Sequence, residues 1–84
     1  MDSKIKSYID EIIGWYGMIA IVLAYALNSF NYLSSTSLTY QILNATGAIG
    51  IVYISLIKRA YQPAVLNIIW AIIAIMAIFK ILFF

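Results

Sequence analysis

The side chains able to do chemistry in this sequence are few, and they are amides rather than acids or nucleophiles. Asn44 falls near the middle of one long apolar run, with Thr46 close by. Asn67 falls one turn into another run, with Trp70 three residues later on a nearby helical face. Asn28 ends a third run. An amide supplies donors and acceptors together, and an indole adds a flat stacking face. Such groups can line a polar cavity between helices and bind a neutral solute. The same groups can serve as interhelical glue, each contributing about 0.6–2 kcal/mol. Residue types alone leave both uses open.

What is missing narrows the chemistry further. The chain has no Cys and no His, which excludes disulfides, Cys- or His-based zinc and haem sites, and a His-based triad. The three acidic residues, Asp2, Asp10 and Glu11, all precede the first apolar run. Proton-driven carriers keep a titratable group inside the membrane, so any solute movement here is expected to be facilitated. Lys80 is the only charge within a run, and its long stem suits snorkelling to the headgroups. No nucleophile–base pair, carboxylate pair, phosphate loop or metal cluster stands out. An enzyme is therefore not expected, and no cofactor is implied. The net charge of +2 is small and its basic residues are dispersed, which gives no footprint for nucleic acid.

The elements that must carry these amides are set by composition. Of 84 residues, 65% are hydrophobic and 10% charged, against roughly 45–50% and 25% in soluble domains. So short a soluble chain could not bury that much apolar surface. A bilayer core of about 30 Å is crossed by about 20 helical residues. Three runs have that length, at about 12–30, 38–57 and 63–84. The expected fold is all-α, a single three-helix integral membrane bundle in contact with the lipid bilayer.

Local signals mark the ends of the runs. Ser34, Ser35, Thr36 and Ser37 offer N-caps for the second helix. Lys58 and Arg59 suit its C-terminus, and Pro63 suits the first turn of the third. Trp15, Tyr16 and Tyr61 would lie at one interface and Phe30, Tyr32 and Tyr40 near the other. Gly17, Ala20 and Ala24 share a helical face. Thr46 and Gly50, and Ala71, Ala74 and Ala77, form similar small-residue rows that let backbones approach. Gly47 and Gly50 could instead make the second helix bendable. Ahead of the first run, residues 2–11 read as an amphipathic helix on the membrane surface or a solvated extension of the span. Lys4, Lys6, Lys58 and Arg59 would share one side, so the positive-inside rule places the N-terminus in the cytoplasm and the protein in the inner (cytoplasmic) membrane. Ala24-Tyr25-Ala26 resembles a signal-peptidase site, but Asp10 and Glu11 are out of place beside a leader's apolar region.

Two resemblances rest on particular residues. Tyr40, Asn44, Gly47 and Gly50, then Lys58, Ala60, Tyr61 and Ala64, then Asn67, Trp70, Ile73 and Ala74 reproduce the pattern Y-x-x-x-N-x-x-G-x-x-G, K-x-A-Y-x-x-A, N-x-x-W-x-x-I-A. That pattern resembles a family of small, uncharacterised prokaryotic three-helix membrane proteins. More distantly, Thr46-Gly47 followed after a short loop by Ala64-Val65-Leu66-Asn67 is similar to SemiSWEET half-transporters and the wider PQ-loop group. This second resemblance implies a three-helix protomer that dimerises around a sugar pathway. Its sugar-contacting asparagine would fall on Asn67 and its tryptophan on Ile51, leaving Trp70 or Tyr53 to substitute for the stacking face. Leu27-Asn28 stands near the place of the family's Pro-Gln hinge, the first loop is shorter and uncharged, and the charge rule gives the opposite orientation. The expected function is a SemiSWEET-like half-transporter for a small neutral solute, working as a homodimer. Asn67, Asn44, Trp70, Tyr53 and Asn28 are the candidate binding residues. The alternative is a structural or assembly subunit of a larger membrane complex.

Overall fold

A computed structural model describes residues 3–84, and over them the chain is all-helical. Helix α1 spans Ser3–Ser29, α2 Leu38–Ile57 and α3 Tyr61–Phe83. All three are long and apolar enough to cross a membrane. The 27 residues of α1 extend about 40 Å at 1.5 Å each. That exceeds the roughly 30 Å hydrocarbon core, so the segment before residue 12 continues the span as the same helix. Asp2, the first residue of that segment, lies outside the described residues.

Helix α2 is central. Both α1 and α3 pack along it, and among the described residues no Cα of α1 comes within 8 Å of one in α3. The reason lies in which residues are buried. Lipid tails are as apolar as leucine, so hydrophobicity cannot drive helix association within them, and close packing of small residues must do it. Accordingly the buried positions are small: Gly17, Ala20 and Ala24 on α1, Ala45, Gly47, Ala48 and Gly50 on α2, and Ala64, Ala71 and Ala74 on α3. The large apolar side chains, such as Ile19, Val22, Ile49, Leu66, Ile72 and Phe79, point outward.

The α1–α2 contact is backbone on backbone. A Cβ added at Gly17 would sit 2.6 Å from the Gly47 carbonyl oxygen, and one at Gly47 would sit 2.9 Å from the Gly17 carbonyl oxygen. Gly47 and Gly50 thus serve close approach within a continuous α2. Thr46 departs from the small-residue row expected of it. It is exposed, and its hydroxyl donates to the Ile42 carbonyl at 2.8 Å while lying 2.7 Å from the Tyr16 hydroxyl. One residue from Gly47, it is turned by about 100° away from the face that meets α1.

The connections follow turn chemistry. Ser37 caps α2, its Oγ accepting from the Tyr40 N–H at 3.1 Å. Both α1 and α2 end by placing one residue in the left-handed region, Asn31 at φ 66° and Arg59 at φ 56°. The next residues close the turns: Tyr32 N–H to Leu27 O at 2.9 Å, and Ala60 N–H to Ser55 O at 2.8 Å. Helix α3 starts at Tyr61, two residues before Pro63. Pro63 still falls within the first turn, where its missing N–H has no intrahelical partner to lose. Lys58 Nζ lies 2.7 Å from Glu11 Oε1, which brings the start of α1 and the α2–α3 loop to one end of the molecule.

Candidate functional site

Asn44 lies on α2 and is 5% exposed. A buried amide must find partners. Its Nδ2 donates to the Tyr40 carbonyl one turn back at 2.9 Å, and its Oδ1 accepts from Trp70 Nε1 of α3 at 3.1 Å. This is a polar side-chain link across the α2–α3 contact. Beside it lies a cleft of about 220 Å³, lined by Ser35, Tyr40, Gln41, Asn44, Trp70, Ile73 and Ala74. The small side chain of Ala74, one turn on from Trp70, leaves the space. Gln41 Nε2 donates to the Ser35 carbonyl at 2.7 Å, which ties the α1–α2 loop to the rim.

An Asn amide carries two N–H groups and two acceptor lone pairs. The two bonds above use one of each, which leaves one N–H and one lone pair of Asn44 beside the cleft that it lines. The indole of Trp70, 46% exposed, offers a face beside them. The arrangement suits hydrogen bonding and stacking of an uncharged polar solute. No ionised group lines this cleft.

Of the five residues singled out from the sequence, the structure brings Asn44 and Trp70 together. Asn67 shares the stripe of Ala64, Ala71 and Ala74, but its Nδ2 turns back to the Pro63 carbonyl of its own helix at 2.9 Å. Asn28 donates to the Leu33 carbonyl at 3.0 Å and braces the α1–α2 turn. Tyr53 belongs to a separate cluster. Its hydroxyl donates to Asp10 Oδ1 at 2.6 Å, and Lys6 Nζ contacts Asp10 Oδ2 at 3.0 Å. These three residues lie outside the cleft because each side chain is satisfied nearer its own backbone or by the start of α1.

Asp10 is the residue that a reading of polar surface positions passes over. It is 7% exposed. The available signal was register: Asp10, Gly17 and Ala24 stand seven residues apart, so one face of α1 carries all three. Tyr40 and Gln41 also join the rim. Their position one turn before Asn44 was the signal for them. Among the described residues no three His, Cys, Asp or Glu side chains cluster to hold a metal.

A protein-family model matches residues 10–83, which takes in the central helix, both of its contacts and every residue of the cleft. No curated protein and no solved structure matches the chain.

Proposed function

The chain belongs to that uncharacterised family, and from this premise we propose that its α2–α3 cleft binds a small neutral solute, with the protein acting as a SemiSWEET-like half-transporter. The observation that carries the reading is the half-used amide of Asn44, held by Trp70 at the wall of a cleft within the membrane span. A polar group in hydrocarbon is costly, and one left with bonding capacity facing a cavity has a use there. The cleft is open on one side, since Trp70 and Ile73 are both exposed. A second copy would close it, as in pathways built from paired membrane repeats. On this reading the protein sits in the inner membrane with its N-terminus and the basic α2–α3 loop in the cytoplasm.

The test uses Trp70 itself. Replacing Trp15, the other tryptophan, by Phe leaves one fluorophore in the cleft. Titration of proteoliposomes with a panel of sugars, polyols and neutral amides is expected to shift its emission for at least one class, with matching uptake of that class. Asn44→Leu should abolish both while Asn67→Leu keeps them. No response across the panel, or equal loss in both variants, would count against the cleft. Mass measurements showing only monomer, both in mild detergent and in lipid, would remove the homodimer.

A second reading, a structural or assembly subunit, is favoured by Asn67. Its amide is half-buried, turned back on its own helix, and would be covered by a neighbouring helix of a larger complex. In that case Asn67→Leu would weaken co-purification with the complex, and no solute response would be seen.

A further inference from the structure

The two ends of the molecule differ in how their charges are answered. At the end formed by the start of α1 and the α2–α3 loop, Lys6 meets Asp10 and Lys58 meets Glu11. The opposite end holds one charged side chain, Lys80, and every acidic residue of the sequence lies before residue 12. Lys80 has no carboxylate partner among the described residues. It lines a cavity of about 460 Å³ between the last turns of α3 and the start of α2. One wall is polar, made by Ser35, Thr36 and Gln41; the other is apolar, made by Ala77, Ile81 and Phe84.

We propose that this cavity is a binding site for the phosphate headgroup of an anionic phospholipid. Lys80 would meet the phosphate, Ser35 and Thr36 would donate hydroxyl hydrogens to its oxygens, and the first acyl carbons would lie against Ile81 and Phe84. Three features favour a lipid over a free anion. Lys80 stands one turn from the end of a membrane-spanning helix, the depth at which phosphates lie in a bilayer. The polar and apolar walls match the junction of headgroup and chain. Among the described residues the cation has no carboxylate partner, while Asp10 and Glu11 meet lysines at the other end. Among the described residues the Ser35 hydroxyl forms no hydrogen bond and the Thr36 hydroxyl pairs only with Ser34, at 2.7 Å, so both can turn to a ligand. This site stands apart from the proposed solute cleft in chemistry, although Ser35 and Gln41 border both cavities.

The experiment is native mass spectrometry of the full chain, released from detergent doped with equal phosphatidylglycerol and phosphatidylcholine. The wild-type protein is expected to retain phosphatidylglycerol preferentially. Lys80→Gln should reduce that retention about five-fold, the size of one cation's interaction near an anionic surface. Lys80→Arg should preserve it, and so should a Lys58→Gln/Arg59→Gln control at the other end. A Ser35→Ala/Thr36→Val variant keeps the charge and the Ser37 cap, and should lower retention while circular dichroism stays helical. Equal retention by that variant would overturn the site in favour of charge attraction alone, and so would an unaffected Lys80→Gln. Displacement of the lipid by millimolar inorganic phosphate, with no preference between the two lipids, would overturn the lipid reading in favour of a free-phosphate site. Loss of solute response in Asn44→Leu leaves this lipid assay unchanged, so the two proposals fail separately.

Discussion

Helix α2 makes two contacts, and they differ at their centres. Against α1 it presents glycine, and the two backbones close to the distance at which a Cβ would meet a carbonyl oxygen. Against α3 it presents Asn44, whose amide oxygen accepts from Trp70, and α3 buries Ala64, Ala71 and Ala74. The first contact leaves no room for a ligand at its centre; the second leaves a cleft beside a polar link. Hydrocarbon explains the contrast. At the glycine centre backbone contact and dispersion hold α1 to α2, and polar pairs flank it: Tyr16 with Thr46, Tyr53 with Asp10 and Lys58 with Glu11. Between α2 and α3 the Asn44–Trp70 hydrogen bond links the helices, and a cleft lies beside that link.

The sharpest way to break this contrast is to force a side chain into the glycine contact. Gly17→Ala would place a methyl 2.6 Å from the Gly47 carbonyl oxygen and 3.0 Å from the Ile51 nitrogen. Both obstacles are backbone, so the helices must separate, and a loss of about 3 kcal/mol is expected. Thermal or denaturant unfolding in detergent would measure it, and a neutral outcome would mean that α1 and α2 are less tightly joined than their geometry implies. Next in size is Asn44→Leu, which removes the link to Trp70. The expected loss is about 1–2 kcal/mol, visible in the same unfolding assay, with a change in Trp70 emission in the Trp15→Phe background. A loss as large as that of Gly17→Ala would show the two contacts to be equally tight.

The turns that end α1 and α2 extend the comparison. Each needs a residue in the left-handed region; Asn31 tolerates it, whereas Arg59 carries a Cβ that opposes it. Arg59→Gly is therefore expected to stabilise the protein by about 1 kcal/mol, and Asn31→Gly by distinctly less, in parallel melts. The smallest effect belongs to Tyr16→Phe. That hydroxyl meets Thr46 on the exposed side of the α1–α2 contact at 2.7 Å. Thr46 keeps its bond to the Ile42 carbonyl, so the cost should be about 0.6 kcal/mol. A larger cost would mean that the pair holds the helices together along with the glycines.

Much of the architecture was readable residue by residue. The three apolar runs became α1, α2 and α3, the serine-rich loop supplied its cap in Ser37, and the row of Gly17, Ala20 and Ala24 became the buried face of α1. The candidate site was readable in part. Asn44 was marked as a costly amide in an apolar run and Trp70 as a stacking face three residues after Asn67, so sequence spacing joined Trp70 to Asn67 on its own helix. The structure joins it to Asn44, 26 residues away. Residues 2–11 were read as an amphipathic surface helix or a solvated extension of the span, which left Asp10 unmarked; its seven-residue register with Gly17 and Ala24 goes with its burial.

Composition and run length by themselves determined the medium, the number of spans and which faces are small. Those properties depend on transfer free energy and helical periodicity, which act locally along the chain. The choice of α2 as the central helix, the pairing of Asn44 with Trp70, the separation of Lys80 from Asp10 and Glu11, and the cleft itself were decided only in three dimensions. They depend on which rows of small residues meet and at what register. Many pairings of such rows are sterically similar in one dimension, and close packing selects among them.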